Sequence, residues 1–233
     1  MKTVAIDTSL SRGSVAALDE GRLAIRWLEP AGEHARLLAA AIAAATAELG
    51  WRPADVDLVA VVRGPGSFTG LRVGVTTAKA FAWATGCRLL GISGFEAIAR
   101  VAGATLAGSG GGSPELHVAY DAGRGDVFAA TATTAPAAPS GWVIGPASLF
   151  TADAWVRGLP PGAVVSGPAV PILAGPLAGR PDLVVAPPAA RVSTAADVAA
   201  IAALRAAAGE GDAPAELVPE YMRPSYADEA ARG

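Results

Sequence analysis

Three short stretches carry residue types that can act on a phosphate or a cation. The first is Gly64-Pro65-Gly66-Ser67-Phe68-Thr69-Gly70, which follows a β-branched run, Val59 to Val62, and precedes a segment of helical character. A glycine-rich strand-to-helix turn can present backbone N–H groups to a phosphate at the helix N-terminus. The same composition serves a purely structural turn, with Gly64 and Gly66 free to take positive φ and Pro65 fixing its own. Neither the phosphate-loop spacing nor G-x-G-x-x-G is met, since no lysine follows Gly70 and Lys79 lies two turns further on. The other two stretches are Asp7-Thr8-Ser9 and Asp121-Ala122-Gly123-Arg124-Gly125-Asp126, each at the end of an apolar run. Their carboxylates are either Mg²⁺-phosphate ligands or a vestigial phosphate site (Asp7, Thr8, Ser9 and Asp121) in which the turn charges have no ligand.

Other chemistries lack their parts. His34 and His117 are the only histidines and lie too far apart to form a local metal pair, so no metal or cofactor is expected. Cys87 is the single cysteine, which excludes an internal disulfide and leaves no nucleophile–base pair. Net charge is −3 and the pI about 5.4, with no basic run, so the chain does not hold RNA by its own field. The N-terminal apolar run is too short for a signal peptide, and no apolar run of about 18 residues follows. A cytoplasmic protein without membrane association is expected.

The elements that must position these residues alternate strand and helix. Lys2–Ile6, Ser14–Leu18 and Leu23–Leu28 read as strands, Glu33–Leu49 as a helix, and Asp57–Val62 as the fourth strand. Ser67 or Thr69 can cap a second helix ending at Thr85 before Gly86. Arg88–Ile92 is a fifth strand and Gly94–Val101 a third helix, giving the order βββαβαβα of a ribonuclease H-like module. The Gly/Ser-rich segment 105–114 separates residues 1–104 from a looser repeat over 115–233. That repeat reads as strands at Leu116–Tyr120, Asp126–Thr133, Trp142–Ser148 and Ala163–Ser166, a short helix at Ala152–Val156, and a helix at 193–208 that can pack back on the first module. The fold class is α/β: two tandem ribonuclease H-like modules of actin, Hsp70 and sugar-kinase architecture. In that architecture Asp7 and Asp121 would flank the phosphates, so a small ATPase or kinase is the alternative function. Of the adenosine loop only Ser166-Gly167-Pro168 is in place.

Two helices carry the signs of a partner. Leu37 to Ala45 has no polar face over more than two turns, and a helix apolar all round asks for cover on more than one side. In the second helix Gly70, Gly74, Ala78 and Ala82 recur every four residues, so another backbone must come close. The expected interface is His34, Leu37, Leu38, Ala41, Ile42 and Ala45 with Gly70, Leu71, Gly74 and Ala78.

The run Gly64-Pro65-Gly66-Ser67-Phe68-Thr69-Gly70-Leu71-Arg72-Val73-Gly74, followed by Ala78-Lys79, resembles the signature of the TsaB/YeaZ family. Further matches are Ala5–Ser9, His34–Leu38, Ser93–Ala97, Asp121–Val127 and Pro219–Arg223, with Gly123 standing where the family commonly has arginine. The resemblance implies a non-catalytic subunit that binds the TsaD threonylcarbamoyl transferase through helices 33–49 and 70–85. It also implies a larger complex with the ATPase TsaE, tRNA contact only through that complex, and a homodimer through the same face as another occupancy. TsaD follows its own glycine-proline-glycine motif with a metal-binding His-x-x-x-His pair. Gly94 and Ile98 stand at the corresponding positions and cannot ligate a metal.

Overall fold

Parallel strands covered on both faces read as near-continuous apolar runs, and the first strand is one. The computed structural model describes residues 1–107 and 115–222. In it β1 (Thr3–Asp7) is buried at every position. Val4 and Ile6 enter a core on one face, and Ala5 enters a second core on the other. β1 pairs antiparallel with β2 (Gly13–Asp19), and β2 with β3 (Arg22–Leu28). On its other side β1 runs parallel to β4 (Leu58–Gly64), and β4 to β5 (Arg88–Ser93). The order is β3-β2-β1-β4-β5. Helices α1 (His34–Glu48) and α2 (Phe68–Thr85) cover the Val4/Ile6 face.

The second sheet repeats this order. β6 (Glu115–Gly123) pairs antiparallel with β7 (Asp126–Thr134), which pairs antiparallel with β8 (Trp142–Ile144). On its other side β6 is parallel to β10 (Val164–Ser166), and β10 to β11 (Val184–Val185). β9 (Ser148–Thr151) also pairs with β7. The strand expected over Trp142–Ser148 is thus two strands, broken at Gly145-Pro146, where proline has no N–H to offer a ladder. Helix α4 (Ala152–Gly158) and the short α5 (Ala174–Ala178) lie on the outer face, and the expected linker lies outside the described residues beyond 107.

Each half of the sequence covers the other's sheet. Helix α3 (Gly94–Ala107) is longer than expected and packs Phe95, Ile98 and Ala102 on Leu116, Val118 and Tyr120 of β6. Helix α6 (Ala195–Ala207) packs Val198, Ile201 and Ala202 on Ala5, Ala60 and Val62. Glu96 of α3 and Arg205 of α6 join the two helices in an ion pair of 2.9 Å.

After α6 the chain turns back along the first sheet. The Asp212 N–H donates to the Leu89 carbonyl at 2.8 Å, and the Asp212 carboxylate accepts the Gly91 N–H at 2.7 Å. The free edge of β5 is satisfied in this way. Leu217 then enters the core beneath α1 and α2, and the Glu220 N–H donates to the Arg63 carbonyl at 2.7 Å.

Candidate functional site

The glycine-rich turn joins β4 to α2 as the composition demands. Ser67 is the N-cap, its Oγ accepting the Gly70 N–H, and Gly86 ends the helix with φ 73°. Of the two turn glycines only Gly64 takes positive φ, at 151°. Gly66 is required for proximity: a Cβ there would lie 2.5 Å from the Ser9 carbonyl oxygen, and the Ser67 N–H donates to that same oxygen at 2.8 Å. The turn is therefore laced to the segment after β1, and the Ser67 N–H is already engaged.

The small-residue stripe faces inward, which corrects the expected interface. A Cβ on Gly70 would stand 2.0 Å from the Thr8 carbonyl oxygen, and one on Gly74 would stand 2.3 Å from Thr8 Oγ1. The backbone that comes close is the chain's own, and the Thr8 hydroxyl donates to the Gly70 carbonyl at 2.7 Å. Leu71, Ala78 and Ala82 are buried in the same way. On α1, His34, Leu38, Ile42 and Ala45 are buried against the first sheet, with His34 Nε2 3.1 Å from the Ser11 carbonyl oxygen. Of the ten residues expected at the interface, only Leu37 and Ala41 stand at the margin of the core.

The outward faces of the same helices are another set. α1 exposes Ala39, Ala40, Ala43, Ala44 and Ala47, and α2 exposes Arg72, Thr76, Ala80 and Trp83. Trp83 is 85% exposed, an unusual position for the largest apolar side chain. The signal was legible: Thr76, Ala80 and Trp83 lie opposite the glycine stripe on a 3.6-residue helix. The alanines of α1 mark neither face, because alanine is as compatible with water as with a core.

The two candidate phosphate aspartates meet different surroundings. A cleft of about 720 Å³ opens between the sheets, lined by Ser9, Arg12, Trp27, Ser67, Tyr120, Asp121, Arg191 and Thr194 among others. Arg12 stacks on Trp27 at 3.9 Å at its rim. Asp121 is exposed and accepts the Gly123 N–H at 2.7 Å. Asp7 is buried, and its Oδ1 accepts both the N–H and the hydroxyl of Ser9, at 3.0 and 2.6 Å. Burial pushes its carboxyl above the ordinary carboxylate range, against the lowering effect of those hydrogen bonds. Burial, with Asp7 nearby, also pushes the Tyr120 phenol well up, so it stays protonated. The Asp7 and Asp121 carboxylates thus each have one oxygen, Oδ1, engaged by a residue two positions further along the chain.

Gly94 and Ile98 are buried, and a Cβ on Gly94 would lie 2.6 Å from the Tyr120 hydroxyl. That side of α3 is closed by Tyr120, whose ring also stacks edge-on against Phe95 at 5.3 Å. His117 is elsewhere, 3.1 Å from Glu115, its imidazole held below the usual range by burial despite that carboxylate. No group of three His, Cys, Asp or Glu side chains is placed to hold a metal among the described residues. Cys87 is half-buried with its thiol pushed up by burial. No helix among the described residues is long and apolar enough to cross a membrane.

Comparison with known proteins gives a consistent set of relatives. The family model of TsaD, tRNA N6-adenosine threonylcarbamoyltransferase, matches residues 29–138. An uncharacterised protein of Mycobacterium tuberculosis is 32% identical over 225 residues, covering 94% of this chain and 90% of that one. TsaB of Bacillus subtilis, a tRNA threonylcarbamoyladenosine biosynthesis protein, is 31% identical over 130 residues, covering 55% of this chain and 53% of its own. In fold, YeaZ from Pseudomonas aeruginosa superposes with a TM-score of 0.74 at 24% identity, over 94% of this chain and 99% of that one. The fold is thus the α/β actin-like type with two mixed sheets.

Proposed function

The chain belongs to the TsaB/YeaZ family, and on that premise we propose that it is the non-catalytic partner subunit of a TsaD-type transferase in the threonylcarbamoyladenosine modification of tRNA. The observation that carries the reading is the outward face of α1 and α2, an alanine surface with one bare tryptophan, Trp83. Small side chains let a second pair of helices approach to about 8–10 Å between axes. Trp83 supplies the large, low-entropy anchor that dominates binding at such contacts. The contribution to catalysis is to hold the partner's active arrangement, since neither Gly94 nor Ile98 can take a metal.

TsaE and tRNA join through the assembly rather than through this chain alone, in keeping with the net charge of −3. A second copy of the chain is the competing occupant of the α1–α2 face. We read the matching strand orders of the two sheets as tandem ribonuclease H-like modules, in place of the expected division into 1–104 and 115–233. One is built on β1–β5 and closed by α6 and residues 212–217, the other is built on β6–β11 and closed by α3. We place the protein in the cytoplasm. The ATPase or kinase alternative draws on the cleft between the sheets and is weakened by the engaged, buried Asp7.

The test is calorimetric titration of TsaD from the same organism into wild-type and Trp83→Ala protein. Loss of an anchor worth about 2 kcal/mol weakens Kd roughly 30-fold. The melting temperature should not fall, because Trp83 contributes little to the core. Unchanged affinity in a folded Trp83→Ala protein would move the interface elsewhere.

A further inference from the structure

We infer that the segment after α6, residues 212–222, is the second wall of the partner-binding face, with Tyr221 a direct contact for the TsaD-type partner; this rests on the α1–α2 reading above. Three observations lead there. The segment is anchored along its length rather than lying loosely on the surface. Asp212 bonds the edge of β5, Leu217 is 4% exposed in the core, and its carbonyl accepts from Lys79 Nζ of α2 at 3.0 Å. Further on, the Glu220 N–H bonds Arg63, and the Glu220 carbonyl oxygen would lie 2.7 Å from a Cβ on Gly64, so only glycine admits this path.

The anchored segment ends in a side chain it does not bury. Tyr221 packs on Phe68 with ring centroids 4.8 Å apart, yet the two remain 48% and 53% exposed. The Arg72 guanidinium stands 5.2 Å from the Phe68 ring. Two half-bare rings with an arginine over one of them are the side-chain types enriched at interface centres.

This cluster is continuous with Trp83. Phe68, Arg72, Lys79 and Trp83 fall within about 60° of one another on a helix of 3.6 residues per turn. They form one ridge roughly 22 Å long at 1.5 Å per residue. Tyr221 abuts the N-terminal end of that ridge and Trp83 occupies the other. α1 flanks the ridge on one side and the returning segment flanks it on the other. A partner seated on Trp83 and running along α2 therefore reaches Tyr221, on a platform whose backbone is already fixed and costs little further ordering.

The experiment is titration of TsaD into the full chain carrying Tyr221→Ala, Tyr221→Phe or Trp83→Ala, each checked by circular dichroism and thermal melting. Tyr221→Ala should weaken Kd about tenfold and Tyr221→Phe should nearly restore it. Should Tyr221→Ala melt early, Tyr221→benzoylphenylalanine supplies a second measurement, with photo-crosslinking to TsaD expected. Wild-type affinity in Tyr221→Ala, or no crosslink from position 221, overturns the inference while loss of binding in Trp83→Ala keeps the α1–α2 reading. Failure of the wild-type chain to bind TsaD at all overturns both.

Discussion

Replacing Gly70 by alanine separates a stripe that packs inside the molecule from one that waits for a partner. The new Cβ would stand 2.0 Å from the Thr8 carbonyl oxygen and 3.2 Å from its carbonyl carbon. Both belong to buried backbone, tied further to α2 by the Thr8 hydroxyl and the Ser67 N–H. Relief requires about 1 Å of movement between α2 and the β1 turn, in an interior packed as densely as an organic crystal. Overpacking costs about 1–3 kcal/mol and occasionally more, and a contact with backbone belongs at the upper end because no side chain can rotate away. Alanine recovers about 1 kcal/mol of helix propensity relative to glycine. The net is a destabilisation of about 2 kcal/mol or more, a fall in Tm of roughly 4–8 °C for a chain of this size. Thermal melting by circular dichroism reads it directly. Thr76→Ala on the exposed side of the same helix serves as the control, since it gains propensity and should not lower Tm. A Gly70→Ala protein melting within a degree of wild type while failing to bind TsaD would refute the inward-facing assignment.

Two further outcomes follow from the buried charges. Because the folded-state pKa of Asp7 is raised, its ionised form is disfavoured in the native protein, so stability falls as pH rises from the ordinary carboxylate range through that raised value. Asp7→Asn keeps an acceptor for both Ser9 hydrogen bonds, so it should melt higher than wild type at pH 7, with the gap closing toward pH 4. A gap independent of pH between 4 and 8 would contradict this. Arg205→Met leaves Glu96 buried without its cation and should cost roughly 3 kcal/mol in urea unfolding. Adding Glu96→Gln should recover much of that loss, and strictly additive effects in the double-mutant cycle would show the pair to be uncoupled.

The local order of the chain was legible without coordinates. Apolar β-branched runs marked β1 and β4, the apolar stretch Leu89 to Ile92 marked β5, Ser67 and Gly86 marked the ends of α2, and the same strand order returned from Glu115 onward. These signals are local, since propensity and capping act over one or two turns. The eleven-residue run from Gly64 to Gly74 pointed to the family for a physical reason too: Gly66, Gly70 and Gly74 each press on the Ser9 or Thr8 segment and admit no side chain. Only the tertiary structure decided which side of α2 those glycines face. A stripe of small residues says that a backbone comes close, and it is silent on whether that backbone belongs to the same chain. The exchange of α3 and α6 between the sheets was equally a tertiary decision, since an apolar helix face fits either sheet until Phe95 meets Tyr120 and Ile201 meets Ala60. The return of residues 212–222 to β5 had no periodic signal at all, because its anchors are single contacts, Asp212, Leu217 and Glu220, made with residues more than a hundred positions away.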